Sequence, residues 1–179
     1  MSNDSLRPEK YEPNSVQMKL SLEIHNIIQE SVLCWLVSIS NDGYPNVTPK
    51  EAFTYDEKGV ILIANIASPQ SVANIQNHHK VCLSFINVLT QKGFKIKGTA
   101  KLIEKIHAAF ESYHDKLGEL VGTRFKILSI IEVTPEQSEP IVAPSYRLFK
   151  ETTEESIIKE SFKSYQIESY AEKIKKLES

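Results

Sequence analysis

Residues 32–40 read VLCWLVSIS, an apolar run that ends at the turn sequence NDG of residues 41–43. An apolar run bounded by Asp-Gly is typical of a β-strand that enters a tight hairpin. The chain returns over residues 46–55 and turns again at DEKG, residues 56–59, into a second apolar run over 60–66. We therefore predict three consecutive antiparallel strands joined by tight turns.

Three more strands are predicted downstream of this meander, over residues 80–88, 92–100 and 125–133. A short helix separates the third strand from the fourth, because Ser68-Pro69 is a preferred helix start. Six strands with few crossovers predict a mainly β fold, a closed antiparallel barrel with helices packed outside. A barrel of so few strands is filled by its own side chains, so a ligand would bind on its outer wall or between subunits.

The remaining segments lie outside the predicted strands. Polar, proline-containing residues 1–15 are predicted to form an N-terminal arm, and residues 16–150 the barrel domain, with an amphipathic helix over 106–117. The proline-containing stretch 135–144 is expected to be a loop. Residues 151–179 are predicted to form a charged helical tail. We expect this tail to dock onto its own barrel or onto a partner subunit; a separate binding role is the alternative.

The composition argues against several classes of partner. With 21 basic and 23 acidic residues, the formal net charge is −2, which does not favour nucleic acid or an anionic membrane as the main partner. The first 20 residues lack the apolar run of a signal peptide, and no stretch approaches the roughly 20 apolar residues that span a bilayer. We therefore expect a cytoplasmic protein that does not enter a membrane.

The cysteines, the paired histidines and the tryptophan are interpreted as structural. Cys34 and Cys82 lie in separate apolar runs without metal-ligand spacing, so we expect buried strand thiols in a reducing compartment and no metal site. His78-His79 is interpreted as a solvated loop pair, because adjacent residues that enter a strand point to opposite faces. Trp35 is interpreted as a core residue of the first strand.

Residues 66–81, IASPQSVANIQNHHKV, are the most informative stretch for function. A strand ends there, and a helix begins with Ser68, Gln70 and Ser71 around its first turn. Free backbone N–H groups at a helix N-terminus, together with the helix dipole, form a site for an anion such as a phosphate ester. The alternative is that Ser68 is only the N-cap of this helix.

Four segments resemble one known family and occur in its order along the chain. They are NDGYPNVTPK at 41–50, SPQSVANI at 68–75, KGFKIKGTA at 92–100, and PSY at 144–146 followed by TE at 153–154. Together they resemble the pyridoxamine 5'-phosphate oxidase-like, FMN-binding split β-barrel family. The resemblance implies a homodimer with two FMN sites, each built from both subunits.

The resemblance also implies which residues bind the cofactor. A strand segment would line one flank of the flavin, the helix start would hold its phosphate and ribityl end, and a strand of the partner subunit would approach its ring. In that order, the residues are Thr48, Pro49 and Lys50; Ser68, Gln70, Ser71 and Asn74; and Lys92, Gly93 and Phe94.

Two departures from the family pattern concern the phosphate and the substrate. Gln70 stands where the family usually has Arg or Lys, which removes a charge-assisted contact, and Ser71 stands where Thr is common. Lys50 is either a substitute cation, near the phosphate or the reduced ring, or a surface lysine. Glu51-Ala52 follows where glycine is common, which would reshape the substrate side of the pocket.

Two classes of function fit these residues. The first is an FMN-dependent oxidoreductase that acts on an unidentified small substrate, with NADH or NADPH as candidate reductant. The cofactor then carries the chemistry, so no catalytic residue is assigned. The second is a non-catalytic flavin-binding or flavin-sensing protein, or a member that has lost the cofactor, and Gln70 favours it. Resemblance at the level of the fold does not separate the two.

Overall fold

The computed structural model describes residues 17–178. Its strands are β1 (Cys34–Ile39), β2 (Pro45–Lys50), β3 (Phe53–Tyr55), β4 (Ile61–Asn65), β5 (Lys80–Asn87), β6 (Lys92–Ile103) and β7 (Ser129–Val142). Its helices are α1 (Leu22–Glu30), α2 (Pro69–Asn77), α3 (Phe110–Val121), α4 (Ser145–Leu148), α5 (Glu154–Ser164) and α6 (Ile167–Leu177). The predicted arm over residues 1–15 lies outside the described residues.

The strands form one antiparallel sheet in the order β2-β1-β5-β6-β7-β4-β3. Its two edge strands, β2 and β3, are consecutive in the chain and are joined by only Glu51 and Ala52. Since an extended chain spans at most about 3.6 Å per residue, the end of β2 lies within about 11 Å of the start of β3. The sheet therefore curls until its edges come close, which confirms the predicted barrel in its split form, since no pairing within residues 17–178 joins β2 to β3.

The barrel has one strand more than predicted, because the predicted strand over residues 46–55 is two strands. The chain leaves one edge of the sheet after Lys50 and joins the other edge at Phe53. Its hydrogen-bonded neighbour changes at this point from β1 to β4. Neither linking residue, Glu51 or Ala52, is glycine or proline, so the local pattern looks like one continuous strand.

β7 continues to Val142, through most of the stretch that was predicted to be a loop. β4 pairs with β7 only as far as Val133, so among residues 17–178 the rest of β7 pairs with β6 alone, while the Met18 amide donates to Pro135 O. Pro135 and Pro140 lie opposite β6 residues four positions apart, and their nitrogens therefore point to the same side of β7. A residue without N–H is tolerated in a strand when its nitrogen faces the unpaired edge.

Two apolar cores lie on opposite faces of β4, because successive strand residues point to opposite sides. The barrel interior is filled by side chains, as predicted; fully buried members are Leu36, Ile61, Ile63, Leu83, Phe85 and Ile96. The second core lies between α3 and the outside of the sheet, and its buried members include Leu62, Ile103, Phe110, Leu117 and Ile130.

The prediction that Trp35 is a core residue is wrong. Cys34 and Leu36 point into the barrel, so Trp35 faces outward and is 40% exposed. The continuous apolar run of this strand concealed the alternation between its two faces. Cys34 is buried as predicted, whereas Cys82 is only half-buried.

The C-terminal tail is two helices rather than one. The break lies at Gln166, whose φ of 53° is in the left-handed region. Ile157 and Ser161 of α5 are buried, so this half docks onto the body of the protein, whereas no residue of α6 is buried. The predicted helix over residues 106–117 begins later, at Phe110.

Within residues 17–178, no three His, Cys, Asp or Glu side chains come together in a way that could hold a metal ion. In the same span, no helix has the length and apolar surface that crossing a bilayer would need. His78 is exposed and His79 is half-buried where the chain enters β5. The cytoplasmic location stays a prediction.

The register shift between β6 and β7 gives a test of the fold. A methyl group on Gly98 would lie 2.2 Å from the carbonyl oxygen of Thr134, so Gly98→Ala fits only if the backbone moves. We expect this change to lower the free energy of unfolding by about 1–3 kcal/mol, as overpacking does. Urea unfolding measures the effect.

Gly118→Ala is the matched control. A methyl group there meets no atom within 4 Å, and it lies on α3. The better helix propensity of alanine should raise the free energy of unfolding by about 0.5–1 kcal/mol. Similar effects of the two substitutions would contradict the close approach of β6 to β7.

Candidate functional site

The candidate site lies at the seam of the barrel, where Lys50 ends β2, Asn65 ends β4 and Pro69 begins α2. Asn65 fixes the loop between β4 and α2, because its Oδ1 accepts a 3.1 Å hydrogen bond from the Ser68 amide. Its Nδ2 donates to Ser129 Oγ on β7 at 2.9 Å. The start of α2 is therefore anchored to two neighbouring strands.

α2 begins as the sequence predicts, with Ser68 as N-cap and Pro69 at the first helical position. The Ser68 side chain does not cap the helix, however; its Oγ accepts a hydrogen bond from Lys50 Nζ. The first N–H groups of a helix have no acceptor within the helix, so those of α2 remain available to a ligand. Ser68 is therefore more than an N-cap, and the positive end of the helix dipole lies at the seam.

Lys50 is a buried cation and not a surface lysine. It is 5% exposed, and no carboxylate among the described residues forms an ion pair with its ammonium. Burial lowers the pKa of Lys50, and the neighbouring Cys34 opposes that shift. Burial also raises the pKa of Cys34 to about 12, so this thiol is neutral at physiological pH and supplies no counter-charge. A buried ammonium without a carboxylate favours an anionic ligand.

Thr48 and Ser71 join β2 to α2. Their hydroxyl oxygens lie 3.0 Å apart, and Asn46 Nδ2 donates to Thr48 Oγ1 at 3.1 Å. Ser71 is 1% exposed and lies in the first turn of α2, three residues after Ser68. The helix start therefore offers two hydroxyl groups in addition to its backbone N–H groups.

Asn74 and Gln70 extend the network along α2. Asn74 Nδ2 donates to Ser38 Oγ on β1 at 3.0 Å, and both residues are buried. Gln70 Nε2 donates to Asn74 Oδ1 at 2.7 Å, so its amide points along the helix. Ser38 is a site residue that the sequence analysis missed, although a hydroxyl within an apolar strand was an available signal.

A cavity of about 340 Å³ opens beside this network, a size typical of small-molecule sites. One wall comes from the end of β2 and the other from the end of α3 and the loop that follows it. The lining residues are Pro49, Lys50, Glu51, Ala52, Ala64, Ile66, Ala67, Ser68, Leu120, Val121 and Phe125. The second wall was not predicted from the sequence, because Phe125 was expected to lie in a strand and no motif marks that loop.

The predicted residues on β6 lie apart from this network. Lys92, Gly93 and Phe94 line a different cavity, of about 270 Å³. Phe94 is 8% exposed and belongs to the barrel core. The structure therefore brings together the predicted residues of β2 and α2 and separates them from those of β6. The approach of the β6 residues to a partner's cofactor stays a prediction.

Residues 20–155 match the model of the family described as pyridoxamine 5'-phosphate oxidase. No curated protein matches the chain.

Solved structures share the fold. HupZ from Group A Streptococcus is 20% identical, with a TM-score of 0.58 over 67% of this chain and 92% of that one. An FMN-binding protein from Syntrophomonas wolfei is 12% identical, with a TM-score of 0.58 over 68% and 86%. HutZ from Vibrio cholerae, described as a haem storage protein, is 20% identical, with a TM-score of 0.56 over 70% and 95%. At these identities the likeness shows the fold alone.

Lys50→Met tests whether the ammonium is held at the expense of stability. Met keeps an unbranched side chain and removes the charge. Because burial lowers the pKa of Lys50 below the ordinary 10.5, its protonated form destabilises the native state at neutral pH. That penalty declines as the pH rises through the lowered pKa and vanishes above 10.5, where lysine is neutral in both states.

We therefore expect the free energy of unfolding of ligand-free Lys50→Met near pH 7 to equal that of wild type or to exceed it by up to about 1 kcal/mol. The gain stays small because the variant also loses the hydrogen bond to Ser68. The advantage should shrink as the pH approaches 10.5. Urea unfolding at several pH values measures this, with the exposed Lys105→Met as control. If Lys50→Met lowered the free energy of unfolding by about 2 kcal/mol or more, Lys50 would not be an uncompensated buried charge.

Proposed function

Because the chain belongs to the pyridoxamine 5'-phosphate oxidase family, we propose that it binds FMN and acts as an FMN-dependent oxidoreductase on an unidentified small substrate. The observation that carries the proposal is Lys50, a buried ammonium beside the start of α2 that pairs with no carboxylate of residues 17–178. A ligand that ends in a phosphate supplies the missing negative charge, and FMN is such a ligand.

The phosphate would be held by groups from two neighbouring elements. Lys50 on β2 supplies the charge, and the first turn of α2 supplies N–H groups and its dipole. The hydroxyls of Thr48 and Ser71 lie 3.0 Å apart, and the Ser68 hydroxyl accepts from the Lys50 ammonium. A phosphate accepts several hydrogen bonds at once, and those from charged donors are the stronger class.

Lys50 replaces the cation that the family usually carries at position 70. The Gln70 amide is neutral, and it donates to Asn74. The Lys50 ammonium reaches the helix start from β2, through its hydrogen bond to Ser68. The positive charge at the phosphate then comes from the strand instead of the helix.

The rest of the cofactor would extend into the cavity beside Lys50. The lining of this cavity is largely apolar, with Pro49 on one wall and Leu120 and Phe125 on the other. Such a lining suits a flat aromatic ring. Bound FMN would supply the transfer of electrons or hydride, while the protein orients it and excludes water. Glu51 lines the same cavity and gives its substrate side a negative charge.

The proposed assembly is a homodimer with shared cofactor sites. Trp35 and Val47, on the adjacent strands β1 and β2, are 40% and 54% exposed. Exposed apolar residues that adjoin one another mark surfaces for association. A partner on this face would bring the start of its own β6 towards the ring, in agreement with the family resemblance.

A non-catalytic flavin-binding protein is the second candidate, and the neutral Gln70 favours it. Addition of NADH or NADPH to the FMN-loaded protein separates the two, because bleaching of the flavin followed by turnover supports the oxidoreductase. HutZ is described as a haem storage protein, so the absorption spectrum of the purified protein is the first measurement. A haem spectrum, or no binding of added FMN, would overturn the proposal.

Titration with FMN and riboflavin tests the phosphate site. Riboflavin lacks the phosphate, so the wild-type protein should bind FMN more tightly than riboflavin. Lys50→Met should bind FMN about 10- to 100-fold more weakly than wild type does, and its affinity for riboflavin should be unchanged. Gln70→Arg should tighten FMN by about 1.5–3 kcal/mol, again with no gain for riboflavin. Quenching of flavin fluorescence measures both affinities.

The exposed Lys105→Met serves as control in these titrations and should match wild type. Unaltered FMN affinity in Lys50→Met would mean that the phosphate does not lie at Lys50. Equal tightening of FMN and riboflavin by Gln70→Arg would place the phosphate away from the start of α2.

Light scattering tests the shared site. The wild-type protein should have twice the 20.3 kDa mass of the chain. Val47→Glu places a charge on the proposed interface, so it should give single chains and weaken FMN binding. Ile106→Glu, at a position that is 95% exposed in the turn before α3, should stay dimeric. Wild-type single chains that bind FMN would rule out a shared site.

A further inference from the structure

A short turn joins β5 to β6 directly before Lys92. Gln91 has a φ of 55°, in the left-handed region, and its amide donates to Asn87 O at 2.8 Å. Asn87 Oδ1 accepts from the amides of Leu89 and Thr90 at 3.0 and 3.2 Å. These bonds hold the turn in one conformation and define where β6 begins.

The chain that follows β6 and β7 binds this turn from outside. Ala143 N donates to Gln91 O at 3.2 Å, and Tyr146 Oη donates to Thr90 O at 3.0 Å. Gln91 Nε2 donates to Ser161 Oγ of α5 at 3.3 Å, and Ser161 is 1% exposed. Two consecutive turn residues are thus contacted by three residues from the C-terminal part of the protein.

Lys92 is held by the same part of the chain. Its Nζ lies 2.7 Å from Glu154 Oε2 and 4.7 Å from the centre of the Tyr146 ring. Glu154 is the first residue of α5, and a capping box between Thr153 and Ser156 fixes the start of that helix. Both members of the ion pair are accessible to water, at 40% and 53% exposure, so the pair adds little stability. What the arrangement does is fix the position of the ammonium.

We propose that residues 145–161 form a positioning clamp, which fixes the Lys92 ammonium beside the cofactor shared with the partner subunit and so sets the protein's preference for reduced over oxidised FMN. The inference rests on the proposed function. A cation near the ring stabilises the negative charge of the reduced flavin, and the interaction weakens with distance. Glu154 and Tyr146 act through Lys92 and are positioning residues.

Glu154→Asp separates position from charge, since aspartate keeps the carboxylate but is one methylene shorter. Glu155→Asp is the matched control. Glu155 also lies in the first turn of α5, but it pairs with Lys159 of the same helix at 2.6 Å. The midpoint potential of bound FMN, compared with that of free FMN, gives the ratio of the affinities for the reduced and oxidised forms.

We expect Lys92→Met and Glu154→Asp each to lower this affinity ratio about two- to fivefold, the scale of a partly exposed charge interaction. The double variant should lower it no further than Lys92→Met alone, because Glu154 acts only through Lys92. Glu155→Asp should keep the wild-type ratio.

A wild-type ratio in Glu154→Asp, with FMN bound, would overturn the clamp and leave the proposed function intact. Additive effects in the double variant would also overturn it, since Glu154 would then act independently of Lys92. A lower melting temperature with an unchanged ratio would mean that the ion pair only ties down the tail. Wild-type protein that does not bind FMN would overturn the proposed function, and the clamp with it.

Discussion

Glu51 and Ala52 connect the strands at the two opposite edges of the sheet, and this short link constrains the rest of the molecule. A sheet whose edges are tied so closely has to curl, and its interior then has room only for side chains. Lys50 precedes the link, so the closure that forms the barrel also carries its ammonium into the seam, where it is buried. The candidate site is therefore a product of how the barrel closes.

Lys50 is an unfavourable residue for stability alone, and its surroundings offset this only in part. A buried ammonium loses its hydration, and the hydrogen bond to Ser68 recovers only part of that loss. The neighbouring polar groups satisfy one another, as Asn65 does with Ser129. One uncompensated charge among well-satisfied groups is the pattern expected where a ligand completes the structure.

The sequence predicted those parts of the molecule that local patterns decide. The turn at residues 41–43 and the helix start at Ser68 are such patterns, and the structure has a hairpin and a helix there. The burial of Lys50 depends on the opposite edge of the sheet, which no local pattern contains. Trp35 faces outward on a strand with two apolar faces, so alternation could not reveal it. Phe125 reaches the cavity from a loop that carries no motif.

Pro140 interrupts the exposed end of β7 as a template for other chains. Among residues 17–178, β7 beyond Val133 pairs only with β6, and the Met18 amide donates to Pro135 O. An unpaired edge is a template onto which a foreign strand can add, and such addition begins aggregation. Pro135 is buried and its carbonyl is already bonded, whereas Pro140 is exposed and removes a backbone donor from this end of the strand. An incoming strand would therefore meet an interrupted ladder.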